Sequence, residues 1–204
     1  MKKGESMRNK IINKIIKWSR RSSTAKQRLL FLMPESIIFL FLIPYAIFLL
    51  SKLIDNFLHL PSFSSGILTM FLGTALGAFG LLFGMWSVVI QFTEGKGTPV
   101  PFMATQKLIT HGPYSYCRNP MAFGTFIYYL GIGIILGSLS FIALTFLVVM
   151  IVLLLYIKKI EEKELEERFG EKYAKYKLCT PFFIPKILKK KKVEAQKYAL
   201  QHVA

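Results

Sequence analysis

Long uncharged stretches fill the middle of this chain, and basic residues crowd its two ends. Four stretches are candidates to cross a bilayer, whose hydrocarbon core of about 30 Å requires roughly 20 apolar residues in a helix. They cover residues 36–54, about 66–92, 122–137 and 139–157, and the third is the shortest. The pattern predicts an all-α, polytopic membrane protein with about four transmembrane helices.

Small residues and prolines predict how these helices pack. Pro44 lies inside the first stretch and indicates a kink, which membrane helices tolerate. Only Gly137 and Ser138 separate the third stretch from the fourth, which predicts a tight antiparallel hairpin. Four glycines at helical spacing along the second stretch favour close helix packing, within the chain or in a dimer seam, so the oligomeric state stays open. They are Gly73, Gly77, Gly80 and Gly84.

The distribution of charge predicts the sidedness. The chain has 27 Lys and Arg against 11 Asp and Glu, for a net charge of +16. Ten of the basic residues precede residue 36, three lie in the 93–120 loop and thirteen follow residue 157, whereas the 52–65 loop has one. Because cytoplasmic loops retain an excess of Lys and Arg, both termini and the 93–120 loop are predicted to be cytoplasmic.

The basic leader is expected to lie on the membrane surface. Its apolar residues Ile11, Ile12, Ile15, Ile16 and Trp18 recur at amphipathic helical spacing among lysines, which suits a helix on anionic lipid. The basic region exceeds 30 residues and no small-residue cleavage site follows, so we expect a retained anchor and not a signal peptide.

Other classes of partner are not predicted. The run from Lys189 to Lys192 lacks interleaved aromatic residues and any known reader motif, so a solvated, membrane-facing tail is favoured over nucleic-acid binding. Cys117 and Cys179 form no CxxC or CxxxH spacing, so no metal site is expected.

Hydrogen-bonding residues gather in two segments that flank the hairpin. The first, 91–120, is rich in Gly, Pro and Tyr, and the second, 160–176, reads as an acidic and basic helix that begins where the fourth span ends. The spans themselves lack the charged residues of a proton pump or an ion channel. Because a hairpin returns the chain to the same membrane face, the two segments can form one cytosol-facing pocket.

The motifs in these segments form an ordered series. Along the chain they are Gly95, Gly97, Thr98 and Pro99; Lys107 to Tyr114; Arg118, Asn119 and Pro120; Gly124; Glu161 and Glu162; Phe169, Gly170, Tyr173 and Tyr176; and Ile184 with Pro185. This series, over roughly 95–185, resembles the isoprenylcysteine carboxyl methyltransferase family and its phospholipid methyltransferase relatives. The chain then divides into a basic amphipathic leader (1–35), two transmembrane helices (36–92), a methyltransferase core (93–185) and a basic tail (186–204).

The resemblance implies an S-adenosylmethionine-dependent methyltransferase with a lipophilic or lipidated acceptor. By position in the motifs, the cofactor is lined by Gln106, Lys107, Leu108, Ile109, Tyr114, Asn119, Pro120, Met121, Ala122 and Glu161. Glu161 supplies a carboxylate for the cofactor's hydroxyl or ammonium groups. Arg118 is either a catalytic group that holds an anionic acceptor by a forked contact or a positively charged anchor at the mouth of the third span.

The remaining acidic residues of 160–176 are expected to be solvated. Glu162 is grouped with Glu164, Glu166, Glu167 and Glu171, which have Lys163, Arg168 and Lys175 as helical-spacing partners. Tyr128 and Tyr129 are expected to pack or to lie at the membrane interface.

The chain departs from the isoprenylcysteine pattern at four positions. Asn119 replaces a usual histidine, Ala122 a tyrosine, Phe182 an arginine and Ile157 the arginine that contacts the substrate carboxylate. The acceptor is therefore open. It is an isoprenylcysteine carboxylate, as in the family that the chain most resembles, a phospholipid amine, or another lipophilic group such as a quinone-like headgroup. Two further readings are an NADPH-dependent membrane reductase, for which no Rossmann motif or basic clamp is present, and a non-catalytic membrane adaptor.

Overall fold

The computed structural model describes residues 10, 12–18, 23–63, 66–99 and 103–186, without the side chains of 149 and 150. The run from Lys189 to Lys192, nearly all of the predicted tail, and Ile11 in the leader lie outside the described residues. The described part is helical without strands, as predicted. Its helices are α1 (12–18), α2 (Ala25–Leu58), α3 (Ile67–Thr93), α4 (Pro120–Leu136), α5 (Leu139–Phe169) and α6 (Glu171–Cys179).

Helices α2, α3 and α5 are long and apolar enough to cross a membrane, which confirms an integral membrane protein. Helix α4 has 17 residues and is the shortest of the four, as expected. We call the end of the bundle that carries residues 94–119 the loop end. Helix α3 ends there, α4 starts there, and α5 returns to it.

Two helices are longer than the hydrophobic stretches predict. Helix α2 starts inside the predicted leader, because Thr24 and Gln27 form a capping box in which each side chain bonds the other's backbone N–H. Helix α5 runs past the predicted span to Phe169. The predicted acidic and basic helix is therefore largely a continuation of the fourth span.

Pro44 affects hydrogen bonding in α2 and not its continuity. Proline has no N–H, and the turn before it has wider, π-helical bonding, so the carbonyls four and five residues earlier lose a donor. Those carbonyls belong to Leu40 and Phe39. The hydroxyl of Tyr128 donates to Leu40 at 3.2 Å and that of Tyr129 to Phe39 at 2.6 Å, so the expected packing role of the tyrosine pair is confirmed.

Glycines bring the backbones of α3 and α4 into contact. A Cβ atom added at Gly124 would lie 2.6 Å from the carbonyl oxygen of Gly80, and one at Gly131 would lie 2.5 Å from the nitrogen of Gly77. At Gly84 the nearest atom would be 3.9 Å away. The glycine pattern of the second span thus serves intramolecular packing, which was one of its two expected uses.

The predicted hairpin between α4 and α5 is confirmed. Gly137 adopts the left-handed conformation with φ of 62°, which glycine accepts without strain. The Ser138 hydroxyl accepts from the Phe141 N–H at 3.1 Å and donates to the Asp55 carboxylate at 2.7 Å. The turn is therefore joined to α2 at the end of the bundle opposite the loop end.

Two alanine substitutions test the α3–α4 contact. Gly80→Ala forces a methyl group into the backbone of α4 and should lower the free energy of unfolding by about 1–3 kcal/mol. Gly84→Ala is the matched control, because a methyl group fits there and alanine favours helix over glycine by about 1 kcal/mol. Thermal unfolding in one detergent compares the variants. Equal midpoints for both would contradict the contact.

Candidate functional site

The loop end is closed by a tightly folded glycine loop. The N–H of Gln106 donates to the Gly95 carbonyl at 2.6 Å, and the N–H of Thr98 donates to Met103 at 2.8 Å. A Cβ atom at Gly97 would lie 2.5 Å from the Thr105 backbone. The two sides of the loop approach so closely that glycine is required at this position. Thr98 and Thr105 line a cavity next to the loop.

Three buried tyrosines join α6, the loop, α5 and α3 by hydrogen bonds. The Tyr176 hydroxyl donates to the Tyr114 carbonyl at 2.6 Å, and the Tyr173 hydroxyl donates to a Glu162 oxygen at 3.3 Å. The Tyr114 hydroxyl donates to the Ser87 carbonyl of α3 at 3.4 Å. Burial raises the pKa of each phenol, so all three remain neutral donors.

A buried ion pair joins the start of α4 to α5. Arg118 Nη1 lies 2.5 Å from Glu162 Oε1, with 9% and 6% of the two side chains exposed. The Phe182 ring lies 5.5 Å from the guanidinium, and Lys177 Nζ is 3.6 Å from the other Glu162 oxygen. The expectation of a solvated Glu162 is wrong, because the continuation of α5 turns this residue inward. The Arg118 side chain is buried and its charge is paired with Glu162, while its Nε atom is buried without a hydrogen bond.

A second ion pair lies nearby on α5. Glu164 and Arg168 are in contact at 2.5 Å at i,i+4 spacing, and Arg168 also donates to the carbonyl of Thr105. The expected pairing is confirmed. The expectation that Glu164 is solvated is wrong, because only 5% of the residue is exposed. The pair connects α5 to the glycine loop.

A cavity of about 140 Å³ lies between the loop, the start of α4 and the end of α5. Seven of the predicted site residues line it, namely Tyr114, Arg118, Asn119, Pro120, Met121, Ala122 and Glu161. Gln106 and Lys107 are exposed on the loop, while Leu108 and Ile109 pack in an apolar cluster with the buried tyrosines. Residues 106–109, which were predicted to line the cofactor, therefore do not line this cavity.

Several lining residues were not among the predicted site residues. Thr98 and Pro99 belong to a motif that the sequence contains, whereas Gln91 lies at the end of an apolar span and carries no local signal. Glu164 and Arg168 line the cavity although their pattern is that of a surface ion pair. Their sequence spacing is the same for an ion pair on the surface and for one that lines a cavity, and only the packing of α5 against the loop distinguishes these two arrangements.

Two acceptor groups in the cavity lack partners. Within the described residues, the Glu161 carboxylate makes no hydrogen bond or ion pair, and the Gln91 Oε1 atom is buried without a hydrogen bond. Asn119 differs, because its amide donates to the Phe182 carbonyl at 2.8 Å. A ligand that offers positive charge and hydrogen-bond donors matches the free acceptors.

Helix α1 covers the cavity from outside the bundle. Ile12 and Ile15 are buried, at 2% and 6% exposed, and Ile15 lines the cavity. Lys14 and Lys17 of the same helix are exposed. The apolar face that was expected to lie on lipid therefore packs on protein in this structure.

A second cavity of about 420 Å³ opens between α2, α3 and α4. Its walls are mainly apolar, and Gly80 and Gly84 of α3 are among its lining residues. The two cavities share four lining residues, Phe39, Pro99, Met121 and Thr125. We call the first cavity, which Glu161, Glu164, Arg118 and Arg168 line, the polar cavity, and the second the apolar cavity. The two cavities meet at the wall that these four shared residues form.

Comparison with known proteins gives a family match for about half of the chain. The profile of the phospholipid methyltransferase family matches residues 68–172, from the start of α3 to the start of α6. Methanethiol S-methyltransferase of Crocosphaera subtropica is 29% identical over 140 residues, which cover 68% of this chain and 51% of that protein. The chain thus spans about half the length of this curated relative. No solved structure matches.

Glu162→Gln tests the buried ion pair. The change leaves the Arg118 charge buried and unpaired, so the free energy of unfolding should fall by about 3–5 kcal/mol. Glu166→Gln is the control, because Glu166 forms ion pairs at the surface and its loss should cost about 1 kcal/mol or less. Denaturation in detergent measures both. A Glu162→Gln protein as stable as the control would refute a structural role for the pair.

Proposed function

Because the chain belongs to the phospholipid methyltransferase family, we propose that it is an S-adenosylmethionine-dependent membrane methyltransferase with a lipophilic acceptor. The observation that carries the proposal is the wall shared by the two cavities, formed by Phe39, Pro99, Met121 and Thr125. A polar cofactor on one side and an apolar acceptor on the other would meet there.

The polar cavity fits S-adenosylmethionine by the chemistry of its walls. Glu161 would accept from the ribose hydroxyls or the ammonium, and Gln91 Oε1 would accept from a further donor. The apolar side chains of Pro120, Ala122 and Leu165 would enclose the adenine. When bound, the cofactor supplies a methyl group activated by a sulfonium.

The protein's part in such a reaction is positioning and exclusion of water. Transfer of a methyl group to a lone pair needs no general acid, so orientation of the two reactants supplies much of the rate. Phe39 and Met121 line both cavities with apolar surface, which keeps water from the point where they meet. The role of Arg118 would be to hold this wall through Glu162.

The charges around the cavities favour an amine or thiol acceptor over a carboxylate. Arg118 and Arg168, the cations that line the polar cavity within the described residues, are both paired with carboxylates. Glu161 and Glu35 have no such partner and would repel an anionic acceptor. A phospholipid amine therefore fits better than an isoprenylcysteine carboxylate, and the name of the curated relative refers to a thiol. The same lack of a free cation disfavours the phosphates of NADPH.

The loop end is proposed to face the cytoplasm. Apart from Lys52, every Lys and Arg of the sequence lies before residue 36, in the 93–120 loop or after residue 157. The described parts of these three segments lie at the loop end. The active site and both termini would then share the cytoplasmic side.

Calorimetry tests the cofactor. Wild-type protein should bind S-adenosylmethionine and not NADPH, and Glu161→Gln should weaken binding about tenfold or more through loss of a charge-assisted hydrogen bond. Glu171→Gln, an exposed residue of α6, is the matched control and should bind as wild type does. Binding of NADPH alone, or identical affinities for Glu161→Gln and wild type, would refute the proposal.

The two cysteines test the sidedness. Cys179 is exposed, whereas Cys117 is buried and burial raises its thiol pKa to about 12, so a maleimide should react with Cys179 alone. A membrane-impermeant maleimide should leave the protein unlabelled in intact cells and label it after permeabilisation. Cys179→Ser should remove the signal. Labelling of wild type in intact cells would reverse the orientation.

A further inference from the structure

Glu35 is a carboxylate inside an apolar cavity. It lies on α2 and lines the 420 Å³ cavity among residues such as Leu32, Leu40 and Val88. Its Oε2 atom is buried without a hydrogen-bond partner. Burial of a charged group in apolar surroundings costs free energy unless a partner is present, so an unpartnered carboxylate in a cavity is a candidate for binding a ligand.

The neighbours of Glu35 do not provide that partner. The Ser36 hydroxyl donates to the Leu32 carbonyl at 2.8 Å. Arg28, two helical turns earlier, stands over the Phe92 ring at 5.0 Å, and its Nε and Nη1 atoms are also buried without hydrogen bonds. Glu35 forms no ion pair with it or with any other described residue. A cation from outside the chain would supply the partner that this carboxylate lacks.

The position of Glu35 relates it to both cavities. Phe39, one turn further along α2, belongs to their shared wall. The charge of Glu35 also acts on Glu161, which lines the polar cavity. Glu35 precedes the residues that match the family profile, 68–172, so the match itself assigns it no role.

We infer that Glu35 binds the ammonium group of a long-chain amine acceptor and takes its proton. The inference rests on the proposed function for the methyl donor. It makes Glu35 the residue that selects a basic nucleophile, since a carboxylate acceptor would be repelled and an alcohol would donate a hydrogen bond without bringing a positive charge to pair with the carboxylate.

The step balances with the groups at hand. An amine is protonated at neutral pH and has no free lone pair. Transfer of one proton from the ammonium to the Glu35 carboxylate frees that pair. The nitrogen then forms a bond to the methyl carbon while the carbon–sulfur bond breaks, and the bonding electrons stay on sulfur. The products are a methylated ammonium, a neutral thioether and a protonated Glu35.

Equilibrium binding of a radiolabelled long-chain amine tests the inference without any methyl donor. Dodecylamine should bind detergent-purified wild type, and Glu35→Gln should weaken that binding about tenfold or more. Dodecanol binding should fall much less than dodecylamine binding in Glu35→Gln, because the alcohol loses a hydrogen bond to a carboxylate and no ion pair. Glu171→Gln is the matched surface control. Equal affinity of wild type and Glu35→Gln for dodecylamine would overturn the inference.

Two additions separate misfolding and failure of the proposed function from failure of the inference. Glu35→Asp keeps the charge and should retain a preference for dodecylamine over dodecanol, whereas loss of that preference would count against the inference. Transfer of a labelled methyl group from S-adenosylmethionine to dodecylamine is measured alongside cofactor binding. A wild type that binds the amine through Glu35 but not S-adenosylmethionine refutes the proposed function alone. A Glu35→Gln protein that binds the cofactor and methylates the amine at the wild-type rate refutes the inference alone.

Discussion

Backbone contact between α3 and α4 is the constraint on which the site depends. These helices touch where Gly80 faces Gly124 and Gly77 faces Gly131, and a Cβ atom at Gly80, Gly124 or Gly131 would collide with the facing backbone. Residues 94–119 connect the end of α3 to the start of α4, so the distance between the helices sets how far this segment must reach. The described residues of this segment, 94–99 and 103–119, hydrogen-bond to one another, and several of them line the cavity. The same contact forms part of the wall of the apolar cavity.

Carboxylates at the loop end have two distinct uses. Glu162 and Glu164 are buried and paired with arginines, which joins α5 to the segments around it. Glu161 and Glu35 line the two cavities and form no ion pair with any described residue. Neighbouring residues on one helix thus differ in role because successive positions point about 100° apart. The paired carboxylates join the walls, and the unpaired ones are those that we propose to bind ligands.

Much of the architecture could be predicted from local pattern. Helix number, the hairpin at Gly137 and the close packing of the glycine span follow from hydropathy and residue size, which act over short distances along the chain. The ends of α2 and α5 could not be predicted in this way, since a cap at Thr24 and charged turns beyond Ile157 extend the helices past their apolar stretches. The burial of Glu162 could not be predicted either, because its partner Arg118 lies far away in sequence.

The sequence by itself determined the class of protein, the two segments that form the polar cavity and the motifs that indicate a methyltransferase family. Tertiary structure alone decided which acidic residues are paired, because that depends on side chains from separate helices meeting in space. It also decided that Gln91, Phe39 and Glu35, which carry no motif, line the cavities. Helix periodicity gives each residue a direction, but only the packed bundle determines what lies in that direction.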